Sequence, residues 1–299
     1  MPERVILKLA YDLEHLPWPL YANEVRFYND IRPQLDIEMP QVLGAAYDHD
    51  SHRFLLLLED LTLRGAVFPN VLRDNSVEEV KSVLDVVATL HAYFWQSPRF
   101  TSDLSNFETH VDGTLNDFMI GDVIHHINHE IATNPFKQNI MAMLDMSSEQ
   151  MLGNMIAMQR HQASLPQTVL HGDTHIGNTY LLPDGKAGLL DLQLSVRGYC
   201  MHDVSYLIST ALPVDQRRTH EQPLIRYYLE RLASYGVDKP PTFAEVWPEY
   251  QRAIVWGVYI GWMTCSEANY GWQIQANNLL RLSAAYADHD ATHRIAEIR

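Results

Sequence analysis

The sequence contains little cysteine and no long apolar run. Two cysteines, Cys200 and Cys265, in 299 residues are too few for a disulfide framework, which favours a reducing compartment. The longest apolar run, residues 253–265, is shorter than the roughly 20 residues of a membrane-spanning helix and predicts a core helix instead. The first residues lack the apolar segment and cleavage site of a signal peptide. A cytoplasmic protein without membrane contact is therefore expected.

Positive charge is also scarce. The 22 Lys and Arg residues are outnumbered by 37 Asp and Glu residues, which gives a formal net charge of -15. Such a chain offers no basic surface for a phosphate backbone, so nucleic acid is not an expected partner. Hydrophobic residues make up 46% of the sequence, which is enough for a sizeable core.

The order of apolar patterns predicts an α+β chain with two lobes. Residues 1–61 contain three strand patterns and one helix pattern, and we expect them to form a small N-terminal lobe. Residues 62–299 carry mostly helical spacing from Ser76 onward, where Glu79 completes a capping box. Strand patterns return only around residues 167–193, so this larger lobe should be mainly helical. Its other predicted helices cover residues 115–132, 139–161, 202–211, 216–235, 242–268 and 277–298.

The returning strands enclose the stretch Val169–Leu182, VLHGDTHIGNTYLL, which holds an Asp and an Asn in one loop. A phosphate-binding P-loop is one interpretation, because Gly172, Gly177 and Thr179 fit its spacing. However, Asn178 stands where the essential lysine would be. A strand also follows, instead of the helix whose amides hold the phosphate. We reject the P-loop on both grounds.

A binuclear metallohydrolase is a second interpretation of this loop. Four side chains would then hold metal ions that activate water: His171, Asp173, His175 and Asp191. Such a site normally collects histidines from several separate loops. A second histidine group, His125, His126 and His129, lies on a predicted helix, but without a carboxylate partner it is more simply a set of solvated side chains.

Phosphoryl transfer is the third interpretation. This reaction needs an aspartate to accept the proton of the attacking hydroxyl, and oxygen ligands for Mg²⁺ beside the phosphates. Asp173 and Asn178 repeat the D-x-x-x-x-N spacing of kinase catalytic loops. A hairpin over residues 179–192 would return Asp191 beside Asn178. The three side chains are therefore expected to meet at one magnesium–nucleotide site.

The same segments resemble a known family of kinases. HGDTHIGN followed by LLDLQLSVRGYCMHDVSYLI looks like the HGDxHxxN and D-x-Q signatures of the aminoglycoside phosphotransferase and choline kinase superfamily. LLLLEDL, ATLHAYFW and DLQLS are similar to its ecdysteroid-kinase-like branch. The resemblance runs from about Val5 to Leu212. It implies a protein-kinase-like fold and an ATP- and Mg²⁺-dependent phosphotransferase that acts on a hydroxyl of a small molecule.

The resemblance also implies roles for five residues at the centre of the site. Asp173 would be the catalytic base, and Asn178 and Asp191 would be the Mg²⁺ ligands. Lys8 matches the strand lysine that contacts the α- and β-phosphates of ATP or another nucleoside triphosphate. Glu24 matches its ion-pair partner on a helix.

Further roles follow from the same resemblance. Glu59, Asp60 and Leu61 match the hinge whose backbone meets the adenine base. His171 would brace the catalytic loop. Asp203 resembles an aspartate that follows the metal-binding segment, although a position near a helix N-terminus explains it equally well.

One feature of the family is missing from this sequence. Kinases of this fold cover the phosphates with a glycine-bearing hairpin of two strands before the lysine strand. Here only seven residues precede Lys8, and no glycine occurs before Gly44. The small lobe is therefore expected to lack its first two strands. This departure leaves three explanations open: a sequence that begins late, a kinase that binds its nucleotide with an open lid, or a catalytically silent nucleotide-binding protein.

The acceptor is expected to bind in the helical lobe, between residues 115–161 and the last helices. Five aromatic residues near the carboxy terminus could line its pocket, although aromatics at helical spacing more often belong to the core: Trp256, Tyr259, Trp262, Tyr270 and Trp272. An amino alcohol, a sterol and a macrolide are all compatible with the sequence.

Overall fold

The structure is a computed structural model that describes residues 4–9 and 18–299. The small lobe contains a three-stranded antiparallel sheet, ordered β1-β3-β2. Its strands are β1 (Val5–Leu9), β2 (Val42–Tyr47) and β3 (Phe54–Glu59). The turn between β2 and β3 is closed by Asp48, whose carboxylate accepts two backbone hydrogen bonds. β3 therefore lies in the centre of the sheet, with Leu56 opposite Lys8 of β1.

One helical segment packs on this sheet. It begins as α1 (Trp18–Arg26), continues as a π-helical turn over Phe27–Ile31 and ends as a 3-10 turn over Arg32–Gln34. The apolar side chains of the π-helical turn are buried in the same core as Leu56. Burial of each such side chain contributes about 1.5–3 kcal/mol. The segment is thus fixed against the sheet, with Glu24 buried between them.

The larger lobe is mainly helical. Its helices are α2 (Val77–Tyr93), α3 (Thr114–Phe118), α4 (Ile124–Thr133), α5 (Pro135–Met143), α6 (Ser148–Gln162), α7 (Met201–Ala211), α8 (Val214–Ser234), α9 (Phe243–Trp256), α10 (Glu267–Tyr270), α11 (Trp272–Asp288) and α12 (Ala291–Ala296). The predicted capping box opens α2, since Ser76 and Glu79 bond each other's backbone amides. All residues of α7 are buried, and α2, α8, α9 and α11 pack around it.

Two small β elements lie between α6 and α7. β4 (Thr168–Val169) pairs with β7 (Arg197–Gly198), and β5 (Thr179–Leu181) forms a hairpin with β6 (Ala187–Leu189). The loop of residues 170–178 is therefore fixed at both ends, by β4 on one side and by β5 on the other.

Three predicted helices are divided in the structure. The pattern over residues 139–161 is interrupted between α5 and α6, where Asp145 has a left-handed φ of 51° and Ser147 caps the next helix. The pattern over residues 242–268 becomes π-helical at Gly257–Trp262 and then leaves the helix. The pattern over residues 277–298 breaks between α11 and α12, where Asp290 has a left-handed φ of 46°. Apolar spacing continues through these interruptions, so periodicity alone could not reveal them.

The junction between the lobes follows β3. A 3-10 turn over Leu61–Arg64 comes directly after the last strand of the sheet. The division into residues 1–61 and 62–299 stays a prediction. Within residues 4–9 and 18–299, no strand pairs with the outer edge of β1. No helix in these ranges combines the length and apolarity that crossing a membrane requires.

Candidate active site

The loop between β4 and β5 takes its shape from Gly172. Its φ is 86°, in the left-handed region that favours glycine. A Cβ atom at this position would lie 1.8 Å from the carbonyl oxygen of Leu194. Glycine therefore lets the loop approach the segment that follows Asp191 more closely than any side chain would permit.

Asp203, in the first turn of α7, holds the backbone of this loop. Its carboxylate accepts hydrogen bonds from the amides of His171 at 2.7 Å and Gly172 at 2.9 Å, and His91 Nε2 lies 3.0 Å away. Burial alone would raise the pKa of Asp203, but the hydrogen bond and charge of His91, together with His202 and His171, hold it well below its ordinary value. Asp203 is thus a buried carboxylate that anchors the loop, in addition to its place near a helix N-terminus.

Asp173 and Asn178 lie in contact. A 3-10 turn over Ile176–Asn178 folds the loop back, and Asn178 Nδ2 donates to both the carbonyl oxygen and Oδ2 of Asp173 at 2.9 Å. Burial and the charge of Asp191 raise the pKa of Asp173 to about 7, against the opposing effects of His171 and Asn178. The side chain is still 25% exposed. A carboxylate with this pKa can exchange a proton near neutral pH.

The two histidines of the loop accept hydrogen bonds from its backbone amides. His171 Nε2 donates to the carbonyl of Leu190 at 2.7 Å, and its Nδ1 accepts from the amide of Asp173 at 3.1 Å. Nδ1 of His175 accepts from the amide of Gly177 at 3.1 Å. His171 therefore braces the loop and has no nitrogen left for a metal.

These contacts remove the support for a metallohydrolase. That interpretation needs His171 as a ligand beside Asp173, His175 and Asp191. In the part of the chain that the structure describes, no three His, Cys, Asp or Glu side chains are grouped as a metal site. The hydrogen bonds of His171 leave it no ring nitrogen for a metal, so His171 cannot act as one of the four ligands.

The β5–β6 hairpin returns Asp191 to the loop. Thr179 pairs with Leu189 at the open end of the hairpin, and the amide of Leu190 donates to the carbonyl of Asn178 at 2.8 Å. Asp191 has a φ of 59°. This conformation costs about 1–3 kcal/mol for a residue other than glycine and is typical of functional sites. The hairpin thus joins Asn178 to the residue next to Asp191.

Lys8 and Glu24 of the small lobe meet Asp191. Lys8 Nζ lies 2.8 Å from Glu24 Oε2 and 3.5 Å from Asp191 Oδ1. Burial tends to lower the pKa of Lys8, but the charges of Asp191 and Glu24 raise it overall. Burial and Asp191 raise the pKa of Glu24 to about 7, although Lys8 opposes this shift. The ammonium group therefore stands between two carboxylates.

Asn23 also connects α1 to this site, which the sequence did not predict. Its Nδ2 donates to the carbonyl oxygens of Gln193 at 2.9 Å and Ser195 at 2.7 Å. The side chain is buried. No sequence signal could have identified this contact, because its acceptors are 170 and 172 residues away along the chain.

The three predicted hinge residues lie at the end of β3, where Glu59 is the last residue of the strand. The amide of Glu59 donates to the carbonyl of Gln41 at 3.0 Å. The Asp60 side chain accepts from the amide of Thr62 and caps the 3-10 turn, and Leu61 is buried. The residues thus lie at the junction of the lobes, and their contact with adenine stays a prediction.

A cleft of about 900 Å³ opens in front of Asp173. Its lining includes Met119, Asp122 and Val123 from one π-helical turn, and Gly261, Trp262 and Thr264 from a second π-helical turn and the segment that follows it. Of the five aromatic residues expected to line an acceptor pocket, Trp262 and Tyr270 line this cleft. Trp256 and Tyr259 belong to the buried core. The aromatic spacing was therefore mostly a core signal, as helical spacing usually is.

His126 is exposed, as expected of a solvated side chain, but it also has a partner that was not expected. It lines the cleft, and its Nε2 donates to the carbonyl of Thr264 at 2.8 Å. The partner lies 138 residues away, so helical spacing gave no indication of it.

The sequence matches the model of the ecdysteroid kinase-like family over residues 4–236. The chain therefore belongs to the ecdysteroid kinase-like family. Ecdysteroid kinase-like proteins form part of the superfamily of aminoglycoside phosphotransferases and choline kinases, which are small-molecule phosphotransferases. No curated protein matches the sequence.

Solved structures confirm the protein-kinase-like fold of this ecdysteroid kinase-like chain. Choline kinase LicA from Streptococcus pneumoniae is 13% identical, with 95% of this chain and 86% of that chain covered and a TM-score of 0.53. A choline kinase from Cryptosporidium parvum Iowa II is 10% identical, with 96% and 81% covered and a TM-score of 0.56. A choline/ethanolamine kinase family protein from Mesorhizobium loti is 12% identical, with 99% and 87% covered and a TM-score of 0.52.

Proposed function

We propose that this protein is a kinase that transfers the γ-phosphate of ATP, or of another nucleoside triphosphate, to a hydroxyl of a small molecule with the help of Mg²⁺. The observation that carries the proposal is the grouping of Asp173, Asn178, Asp191 and Lys8. Phosphoryl transfer asks for a base, oxygen ligands for a metal and a cation beside the phosphates. Membership in a family of small-molecule phosphotransferases supports the same activity.

The side chains at the site fit a magnesium ion. The amide nitrogen of Asn178 donates to two oxygens of Asp173, so its amide oxygen is the atom left for a cation. Asp191 adds a carboxylate that is 39% exposed. Mg²⁺ is commonly bound by one or two such oxygens together with water and phosphate. When bound, the ion would neutralise charge on the phosphates.

The remaining residues then bind, orient and exchange protons. Asp173 accepts the proton of the acceptor hydroxyl, and the raised pKa of its carboxyl, about 7, suits a base near neutral pH. Lys8, held by Glu24, contacts the phosphates. Asp203 keeps the loop amides in place, so that Asp173 does not have to be ordered during the reaction.

The cleft in front of Asp173 is the proposed acceptor site. Two π-helical turns, Met119–Val123 and Gly257–Trp262, contribute residues to its lining. Such turns are frequent at functional sites. The residues described along the cleft include two carboxylates, Asp122 and Asp173, and no lysine or arginine. A neutral or cationic alcohol is therefore favoured over an anionic one.

The test is ADP release in the presence of ATP, Mg²⁺ and a panel of alcohols that includes an amino alcohol, a sterol and a macrolide. Asp173→Asn is expected to lower turnover about 10²–10⁴-fold, the usual contribution of a general base. Asp184→Asn, in the exposed turn of the β5–β6 hairpin, is the matched control and should leave turnover unchanged. Turnover that survives Asp173→Asn would refute the assignment.

A second possible outcome of this assay would distinguish the proposed kinase from a protein that only binds nucleotide. If ATP with Mg²⁺ raises the thermal unfolding midpoint while no acceptor releases ADP, a catalytically silent nucleotide-binding protein would be favoured. The sequence feature behind this alternative is the lack of glycine before Gly44.

A further inference from the structure

One wall of the proposed acceptor cleft consists of a segment that has left its helix. After the π-helical turn Gly257–Trp262, residues 263–266 run without regular structure before α10 begins. Thr264 and Cys265 line the cleft. Their backbone carbonyls cannot rely on helical hydrogen bonds and need other partners.

Side chains from the neighbouring helices satisfy three successive carbonyls of this segment. Lys137 Nζ donates to the carbonyl of Met263 at 2.8 Å and to that of Cys265 at 2.7 Å. His126 Nε2 donates to the carbonyl of Thr264 between them. Gln275 adds a second hydrogen bond to the Cys265 carbonyl. The segment is therefore held by polar side chains of α4, α5 and α11.

Lys137 is the central member of this group. Its side chain is 0% exposed, and its third hydrogen bond goes to Glu130 Oε2 at 2.7 Å. All three hydrogens of the ammonium group are thus used. A methionine would fill the same space without the loss of solvation that a buried charge suffers. What the lysine adds is a fixed set of hydrogen bonds to the cleft wall.

The same group also joins two segments that line the cleft. Glu130 and His126 belong to α4, which continues directly from the π-helical turn Met119–Val123, and residues of that turn also line the cleft. Lys137 on α5 bonds to Glu130 and to residues 263 and 265 together. The relative position of the two lining segments therefore depends on a buried ammonium group.

We infer that Lys137 is a positioning residue for the acceptor: by tying Glu130 to the carbonyls of Met263 and Cys265 it sets the shape of the acceptor cleft without touching the nucleotide half of the site. The inference rests on the proposed function for the meaning of the cleft. The contacts themselves do not depend on it.

Amide hydrogen exchange of the unliganded protein tests the positioning role without any turnover. Lys137→Met is expected to speed exchange in residues 262–266 on the order of tenfold, because two buried carbonyls lose a donor. Residues 171–178 of the catalytic loop should exchange as before. Unchanged exchange in residues 262–266, or an equal increase in both segments, would overturn the inference.

A matched control separates positioning from general loss of stability. Arg217 is also a fully buried cation, paired with Glu221 and Asp288, and it lies outside the cleft. Arg217→Met should weaken the fold without speeding exchange selectively in residues 262–266. If Lys137→Met does not fold, the double variant Lys137→Met/Glu130→Leu removes both members of the buried pair and takes its place.

Steady-state kinetics provide a second test of the role of Lys137. The acceptor is the alcohol from the panel that the wild-type protein turns over fastest. Lys137→Met is expected to raise the acceptor KM about 10- to 100-fold, the effect of a displaced positioning wall, with the ATP KM changed less than about twofold. An equal rise in the acceptor KM and the ATP KM would contradict the inference. If no alcohol is turned over, the proposed function fails, while the exchange result still decides the role of Lys137.

Discussion

Replacement of Asp203 by asparagine would test the anchor of the catalytic loop while keeping the size of the side chain. The amides of His171 and Gly172 donate to different oxygens of the carboxylate, and His91 Nε2 shares the first of them. Asparagine offers one oxygen and one NH₂ group. In either orientation, at least one loop amide therefore meets a donor where it had an acceptor.

The expected loss of stability follows from this geometry. A buried amide without an acceptor costs about 1–3 kcal/mol, and each hydrogen bond to a charged group contributes about 1.5–3 kcal/mol. Because Asp203 is fully buried and accepts both loop amides, Asp203→Asn should lower the free energy of unfolding by about 3–5 kcal/mol at pH 7. Denaturant unfolding, followed by the fluorescence of the six tryptophans, measures this difference.

The pH dependence gives an independent signature. The pKa of Asp203 is depressed in the folded state, so its contribution is complete above the unfolded value of about 3.9 and is lost as pH falls toward the folded value. The difference in free energy of unfolding between the wild-type protein and Asp203→Asn should therefore decrease below about pH 3.9, by at most about 1.4 kcal/mol per pH unit.

Two results would refute this reasoning. One is a difference in free energy of unfolding of less than about 1 kcal/mol between the wild-type protein and Asp203→Asn at pH 7. The other is a difference in free energy of unfolding that stays constant as the pH falls from 5 to 3. Asp184→Asn makes the same chemical change at an exposed position, and its free energy of unfolding should stay within about 0.5 kcal/mol of that of the wild-type protein.

Two further substitutions test neighbouring contacts. Lys8→Met removes the ammonium group between Glu24 and Asp191. The variant should bind ATP–Mg²⁺ about 10- to 100-fold more weakly in calorimetric titrations. Unchanged affinity would contradict the proposed contact of Lys8 with the phosphates. Gly172→Ala places a Cβ against a backbone carbonyl and should lower the free energy of unfolding by more than about 3 kcal/mol. Gly185 also has a positive φ but faces open space, so Gly185→Ala should lower the free energy of unfolding by only about 1–2 kcal/mol. Equal losses in the two variants would contradict the argument that the loop approaches the Leu194 carbonyl closely.

Features that depend on neighbouring residues could be predicted from the sequence. Ser76 and Glu79 form the expected capping box because both partners lie within one helical turn. The contact between Asp173 and Asn178 follows from their spacing, since one short loop and a 3-10 turn are enough to fold it back. The resemblance to kinases added Lys8 and Glu24, whose contact with each other spans only 16 residues.

Features that depend on remote residues could not be predicted in this way. Asn23 bonds to carbonyls about 170 residues away, and His126 bonds to Thr264 across 138 residues. Neither asparagine nor histidine in a helix carries a signal of such a partner. The interruption at Asp145 was missed for a different reason, because the apolar period continues through it.

One signal for the long-range contacts was nevertheless present in the sequence. Loops that shape a site cannot pair their own backbone groups and must find polar side chains elsewhere. A helix such as α7, buried at every position, can keep a carboxylate only if that charge is paired. Asp203, as the lone carboxylate in the largely apolar stretch CMHDVSYLI, therefore indicates a buried partner. Lys137 gives no such signal, because α5 has an exposed face on which a lysine would be ordinary.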